Sequence, residues 1–470
     1  MFKSLAWKRR ALLVAVALAL TAGLGAARPA LAAKFTVNST ADPGDGVCSA
    51  SECTLREAIS AANAGPGADT INFDPGVFGP GTITPAIPLP PLTNAGITID
   101  GSGAAVTVDG SLLNPGIAFE GVFDVLAPAA AFKGFTIANA PNFGILVAPA
   151  SPVTSLTVTN MTIAAENQYG VSVFSDSDIR NVAVSSSTIS GTGGVSISSG
   201  HNSGISIMNN ISFSASPLAE AVGIFGGSNK NVSIVDNGPI GGEVFIHSLG
   251  DSNSHISIRD NSHISGGVVF SAPKNKGLSI RDNEAISGRG VAVLGDKNSG
   301  VSIRGNESIT GGGVSVSGIS GASSSNSDIS VGDNGVITGG DTGVVITGAR
   351  HSGISVRSNG SVIGRTGIFI SGESARGARN LISHNIVQAS VIGSGIGIDI
   401  TGSDRNRLEG NQVAGFSIGV AVQAESSFNT IRRNVIGVTS VADLFWDETG
   451  TGNRWLRNEC DTSLPAGLCD

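Results

Sequence analysis

The chain has 470 residues, 66 of them glycine, with 40% apolar and only 14% charged. Low charge and abundant glycine exclude a helical bundle, and the regularly placed apolar residues exclude a disordered chain. The formal net charge of −8 argues against general nucleic-acid binding.

Residues 1–32 read as a secretory signal: Lys3, Lys8, Arg9 and Arg10 precede the apolar run Ala11–Leu20, and Ala30-Leu-Ala32 offers small residues at the cleavage positions. The apolar stretch is short for a membrane span, so no transmembrane segment is expected in the mature chain. Removing five basic and no acidic residues takes the net charge from −8 to −13. A secreted or cell-surface location follows as an expectation.

Residues 33–95 form a predicted cap and lead-in. Lys34-Phe-Thr-Val-Asn38 reads as a strand. Thr54 followed by Glu57 is a capping box, each side chain able to satisfy the other's backbone N–H. Leu55, Ile59 and Ala62 continue at helical spacing until Gly65-Pro-Gly67 stops the run. Thr36-Val-Asn-Ser-Thr-Ala-Asp-Pro-Gly-Asp-Gly-Val-Cys48, with Cys53-Thr-Leu-Arg-Glu-Ala58, closely resembles the CSLREA domain, with Thr54 where that name has Ser. The resemblance covers residues 34–75 and implies an exported bacterial protein with right-handed parallel β-helix repeats of the pectin-lyase-like class. It brings no catalytic residues. Arg56 and Glu57 are read as a surface helix position and half of the capping box.

Pro85, Pro88, Pro90 and Pro91 mark an extended approach to the repeats. Ile97-Thr-Ile99 and Val106-Thr-Val108 begin them, with Asp100-Gly101 and Asp109-Gly110 as turns rather than a carboxylate pair. Looser coils carrying Phe123, Phe132, Phe135 and Phe143 follow.

From Ile205 onward one phrase recurs: apolar, Ser, apolar, any residue, Asp or similar, Asn. Ile256-Ser-Ile-Arg-Asp-Asn261, Leu278-Ser-Ile-Arg-Asp-Asn283 and Val301-Ser-Ile-Arg-Gly-Asn306 are clear copies. The closing residue returns as Asn210, Asn237, Asn261, Asn283, Asn306, Asn334, Asn359, Asn385, Asn411, Asn434 and Asn458, about 25 residues per step. Such a period signals stacked units, each unable to bury its apolar face alone. Each period holds three short alternating runs separated by Gly or Asn, which read as strands and corners. The fold class predicted for residues 96–459 is therefore all-β, a right-handed parallel β-helix with three short strands per coil. The closing Asn is expected at a left-handed corner, with its side chain bonded to the next coil. A second Asn column lies eight residues earlier (Asn202, Asn229, Asn253, Asn275, Asn298, Asn326), is interrupted by His351, and returns five residues earlier as Asn380, Asn406, Asn429 and Asn453. The predicted tail, 460–470, is closed by disulfide. Trp446 and Trp455 are expected to plug the open end.

The four cysteines allow three connectivities. Cys48–Cys53 and Cys460–Cys469 are expected, because each pair is close in sequence and the pairs lie at opposite ends of a rod. No cofactor or metal is expected.

Catalytic signals are sparse. No Asp-Asp dipeptide, Gly-His-Gly or Arg-Ile-Lys occurs, and Tyr169-Gly170 is followed by Val171-Ser172. Asp176 and Asp178 beside Arg180, and Asp399 near Asp404 and Arg405, are the carboxylates with any claim to catalysis. The histidines do not stack. Arg259, Arg281 and Arg304 share a column, flanked by Lys230, Lys274, Lys276 and Lys297. These cations either neutralise Asp236, Asp260 and Asp282 or form a track for an acidic glycan. The expected function is an exported structural, adhesive or ligand-binding rod that meets extracellular polysaccharide or cell-surface components. The alternative is a polysaccharide lyase or hydrolase, for which Ca²⁺ would become relevant.

Overall fold

The computed structural model describes residues 31–117, 119–216, 219–319, 324–374 and 380–469. Most of the predicted signal segment therefore lies outside the described residues. The chain is 56% strand and 2% helix, wound into a parallel β-solenoid of about 16 turns.

Each lap has three faces. One lap runs Ser252–Arg259 on face one, His263–Ile264 on face two and Gly267–Ser271 on face three, then begins again at Lys274–Arg281. Successive laps pair in parallel, so Ile256, Leu278 and Val301 stack, as do Ile258, Ile280 and Ile303. All six of these side chains are at most 1% exposed. The serines between them, Ser257, Ser279 and Ser302, stack outward. Alternation of this kind follows from the two-residue period of a strand. Each inward Ile or Val contributes roughly 1.5–3 kcal/mol of burial, and the repeat multiplies that gain lap by lap.

The strands are not uniformly short. Tyr169–Ser185, Gly193–Met208, Glu220–Val235 and Thr342–Ser352 run through the corner from face three into face one, with a shift of register at Ser175/Asp178 and at Thr347/Arg350. Three runs per lap survive as three faces, but four of the corners are bent strands rather than breaks.

The stacking also begins earlier than Ile97. Lys34–Val37 pairs with Thr70–Phe73, which pairs with Ile97–Asp100. The cap is thus the start of face one, with a helix inserted after its first strand. That helix, α1 (Leu55–Ala64), carries the expected capping box: Glu57 N–H donates to Thr54 Oγ1 at 3.3 Å, and Thr54 N–H donates to Glu57 Oε2 at 2.8 Å. Leu55, Ala58, Ile59 and Ala62 are fully buried. Arg56 pairs with Asp42 at 2.7 Å and also donates to the Ile87 and Pro88 carbonyls.

The asparagine ladder runs unbroken from Asn210 to Asn458, with laps of 22 to 28 residues. Asn283 shows the unit. Its Nδ2 donates to Asn306 Oδ1 at 2.8 Å and to the Ile258 carbonyl at 3.2 Å, while its backbone N–H donates to the same Asn306 Oδ1 at 3.2 Å. Each rung is thus satisfied inside the corner, away from water. Ser187 starts the column in place of an Asn: its N–H donates to Asn210 Oδ1 at 3.1 Å.

The left-handed residue is not the ladder Asn. It is the residue before it: Asp236, Asp260, Asp282 and Asp333 have φ of 54–55°. Gly305, with φ of 67°, holds the same place before Asn306. The reversal there swings the chain so that the next side chain points into the corner.

At the C-terminal end Trp446 is in register with buried Val422, and Trp455 with buried Ile431. Both indoles pack against the core as half-buried end pieces. Both disulfides form as expected, Cys48–Cys53 and Cys460–Cys469.

Candidate functional site

The stacked register sets which polar side chains meet outside the solenoid. On face one, Arg259, Arg281 and Arg304 form a column, as the sequence implies. Two of them are neutralised: Arg259 pairs with Asp260, and Arg304 with Asp333. Arg281 forms no ion pair among the described residues.

The lysines sort into two columns. Lys230, Ser254, Lys276 and Ser299 stack in one, and Ser252, Lys274 and Lys297 in the other. Lys274 pairs with Asp251 at 3.0 Å. A shallow groove here is lined by Lys230, Lys274 and Lys276, by the hydroxyl-bearing Ser228, Ser252 and Ser254, and by Asp251 and His255. The reason lies in the local fold. Gly277, with φ of 62°, bends Lys274–Arg281, so lysines occupy the strand before the bend and Ser279 and Arg281 the strand after it. A separate acidic column, Asp236, Asp260 and Asp282 with Glu284, runs along the next corner.

The carboxylates singled out for catalysis do not converge. Asp176 is exposed. Asp178 is held by Arg180 at 2.7 Å. Asp399 is only 8% exposed, and its Oδ1 accepts from Thr401 Oγ1 at 2.8 Å and Gln423 Nε2 at 2.9 Å. Burial pushes its carboxyl above the usual aspartate range, against those two bonds. Asp404 and Arg405 serve elsewhere: Asp404 accepts the Ser427 N–H at 2.7 Å, and Arg405 lies over the Phe428 ring at 5.3 Å.

Sequence reading missed a cluster on face three. Glu220 and Glu243 lie in register on successive laps. Tyr169 Oη donates to Glu220 Oε2 at 3.1 Å, and Arg289 Nη1 lies 3.3 Å from Glu243 Oε1. Burial, then the neighbouring Glu220 charge, raises the Tyr169 hydroxyl to about 12. Burial also raises the Glu243 carboxyl, although Arg289 opposes it. Gly193 lies between Tyr169 and Glu220 in the column, and a Cβ there would meet the Tyr169 ring at 2.1 Å. No one-dimensional motif marks this group, because its members are separated by whole laps. Beside it, Phe225 and Phe245 meet edge to face at 5.7 Å, and His247 stacks on Phe245 at 5.5 Å.

At the cap, Asp45, Glu52 and Glu57 bring one carboxylate oxygen each within 4.8 Å of one another. Glu57 is already engaged by the Thr54 and Gly46 N–H groups, and Asp45 by the Val47 N–H at 2.9 Å. These bonds pull the Glu57 carboxyl down, outweighing its burial. Histidines stand apart: His201 bonds Ser228 at 2.9 Å and His263 bonds Ser287 at 3.0 Å.

No described helix is long and apolar enough to cross a membrane. No protein-family model matches the chain, and no curated protein matches it.

Proposed function

We propose that the chain is an exported β-solenoid rod that binds acidic polysaccharide, or the anionic groups of a cell surface, along face one. The observation that carries this is the groove of Lys230, Lys274 and Lys276 edged by serine hydroxyls. Lys230 and Lys276 stand two laps apart, about 10 Å, with Lys297 stacked one lap above Lys274. These cations meet carboxylates spaced along a polymer, and the hydroxyls meet sugar hydroxyls. Arg281 lies beyond the bend on the same strand as Lys274 and Lys276. Export is supported by the signal pattern of residues 1–32, by two disulfides and by the resemblance of residues 34–75 to the CSLREA domain.

The test is a glycan-binding screen on the mature chain. Binding to acidic but not neutral polymers is expected, weakened by salt and lost in Lys230→Ala/Lys276→Ala. Equal binding to neutral polymers, or full binding by the double variant, defeats the reading.

A second reading rests on Glu220 and Glu243. They lie in register one lap apart, about 4.8 Å at the backbone, and a pair of neighbouring carboxylates is what a retaining glycosidase needs. New reducing ends released by the wild type and abolished in Glu243→Gln would establish it over simple binding.

A further inference from the structure

Asp69 is completely buried, yet only half of its carboxylate is used. Oδ1 accepts the Ala33 backbone N–H at 2.7 Å, and Oδ2 has no hydrogen-bond partner. A buried carboxylate is costly unless paired and fully bonded. Its setting is otherwise tightly tied. The Ala33 carbonyl accepts the Thr70 N–H at 2.9 Å, which opens the first lap-to-lap pairing, and the Asp69 carbonyl accepts the Thr98 N–H at 2.8 Å from the next lap. Gly65 lies beside the free oxygen: a Cβ there would stand 3.1 Å from Oδ2.

The atom that touches Asp69 is also the atom that signal processing would change. The small-residue pattern Ala30-Leu-Ala32 places the cleaved bond between Ala32 and Ala33. We propose that Ala33 is the mature N-terminus and that its α-ammonium forms a buried ion pair with Asp69, locking the first lap of the solenoid. Hydrolysis adds water across the Ala32–Ala33 peptide bond. The new carboxylate leaves with residues 1–32, and the freed Ala33 amine holds a third proton at neutral pH. One amide N–H becomes three N–H donors and a positive charge, enough for both Asp69 oxygens. Before cleavage, Leu31 and Ala32 cross Gly67, whose absent side chain leaves room at 3.2 Å from the Leu31 carbonyl. The uncut chain fits but leaves Oδ2 unpaired. Leader removal would thus tighten the open end of the rod only once the chain has been exported.

This inference rests on the export reading, and its test separates the two. The exported full chain is collected and its N-terminus sequenced. Ala33 is expected. An exported chain that begins elsewhere, Met1 included, overturns the ion pair and leaves export standing, whereas a chain recovered only inside the cell with Met1 retained overturns both. The α-amine of the folded wild type is then challenged with an amine-selective label at neutral pH. Modification about tenfold slower than in the denatured chain is expected, and an equal rate overturns the proposal. Finally, a glycine inserted between Ala32 and Ala33 displaces the ammonium, and Asp69→Asn removes its partner. Each is expected to lower amide-exchange protection at Thr70 by about tenfold, and the two together no further than either alone. Independent, additive losses overturn the ion pair. If Asp69→Asn fails to fold, the inserted chain and the labelling rate still decide.

Discussion

The central laps and the C-terminal laps turn the same corner with the same residue in two ways. In the central laps the second asparagine column, Asn202 to Asn326, donates along itself at 2.8–3.1 Å and ties down the last carbonyl of face three, as Asn275 does to Leu294 at 2.9 Å. In the C-terminal laps the column sits three residues nearer the main ladder, and the backbone joins in: Asn406 N–H donates to Asn429 Oδ1 at 2.8 Å, and Asn429 N–H to Asn453 Oδ1 at 2.9 Å. A ladder needs a constant step along the rod axis, not a constant place along the lap. The change of place is bridged by His351, which is in register with Asn326 and only 1% exposed. Its Nδ1 lies 3.5 Å from Asn326 Nδ2, and its Nε2 lies 2.6 Å from the Ser371 carbonyl, the contact an Asn there would make. These partners assign the neutral ring with the proton on Nε2.

The sharpest break of this comparison is to remove one rung from each region. Asn275→Ala removes the bonds to Asn298, to the Leu294 carbonyl and from Asn253, and should cost about 3 kcal/mol. Asn406→Ala should cost less, about 2 kcal/mol, because its Nδ2 bonds the rotatable Ser403 hydroxyl rather than a fixed carbonyl. Urea unfolding of both variants checks the order, and equal losses would erase the distinction.

Next come the left-handed corners. Asp282→Val forces a β-branched residue to φ of 55°, an expected loss of about 1–2 kcal/mol. Gly305→Val should lose more, since its Cβ would also meet the Asp282 carboxylate at 2.2 Å. Thermal unfolding of the pair decides whether crowding adds to strain.

The smallest effect belongs to the bridge. Burial lowers the His351 pKa, opposed by its bond to Ser371. The unfolded chain therefore takes up a proton near pH 6.5 while the folded chain resists. Stability is full above that pH and declines as pH falls from 6.5 toward the depressed folded value. His351→Asn should remove that part of the acid sensitivity and leave stability at pH 8 almost unchanged. A wild-type and variant pair with parallel melting temperatures from pH 8 to 5 would show that His351 binds its proton equally well in the folded and unfolded chains.

Much of the fold was legible in the chain. The Ile–Ser–Ile alternation, the recurring Asn and the Thr54–Glu57 box each state a local geometry, and that geometry is met. The left-handed position was misplaced by one residue because Asn is itself tolerant of that region, so the sequence alone does not separate the residue that turns from the residue that bonds. The Arg column was legible, but not its neutralisation: Arg304 reaches Asp333, 29 residues on, a pairing across laps. Glu220 and Glu243 were invisible for the same reason, as each is unremarkable within its own lap.

The amino-acid order by itself determined the lap and the inward rows, because strand periodicity and corner chemistry act over a few residues. Only the tertiary winding decided which laps touch in register. That decision fixed everything between laps: which cation is left free, which carboxylates become neighbours, and that Asp69 is buried against the backbone of Ala33. Those outcomes depend on summed lap lengths, which differ from lap to lap, 22 residues in one and 36 in another, and on burial that no single lap can create.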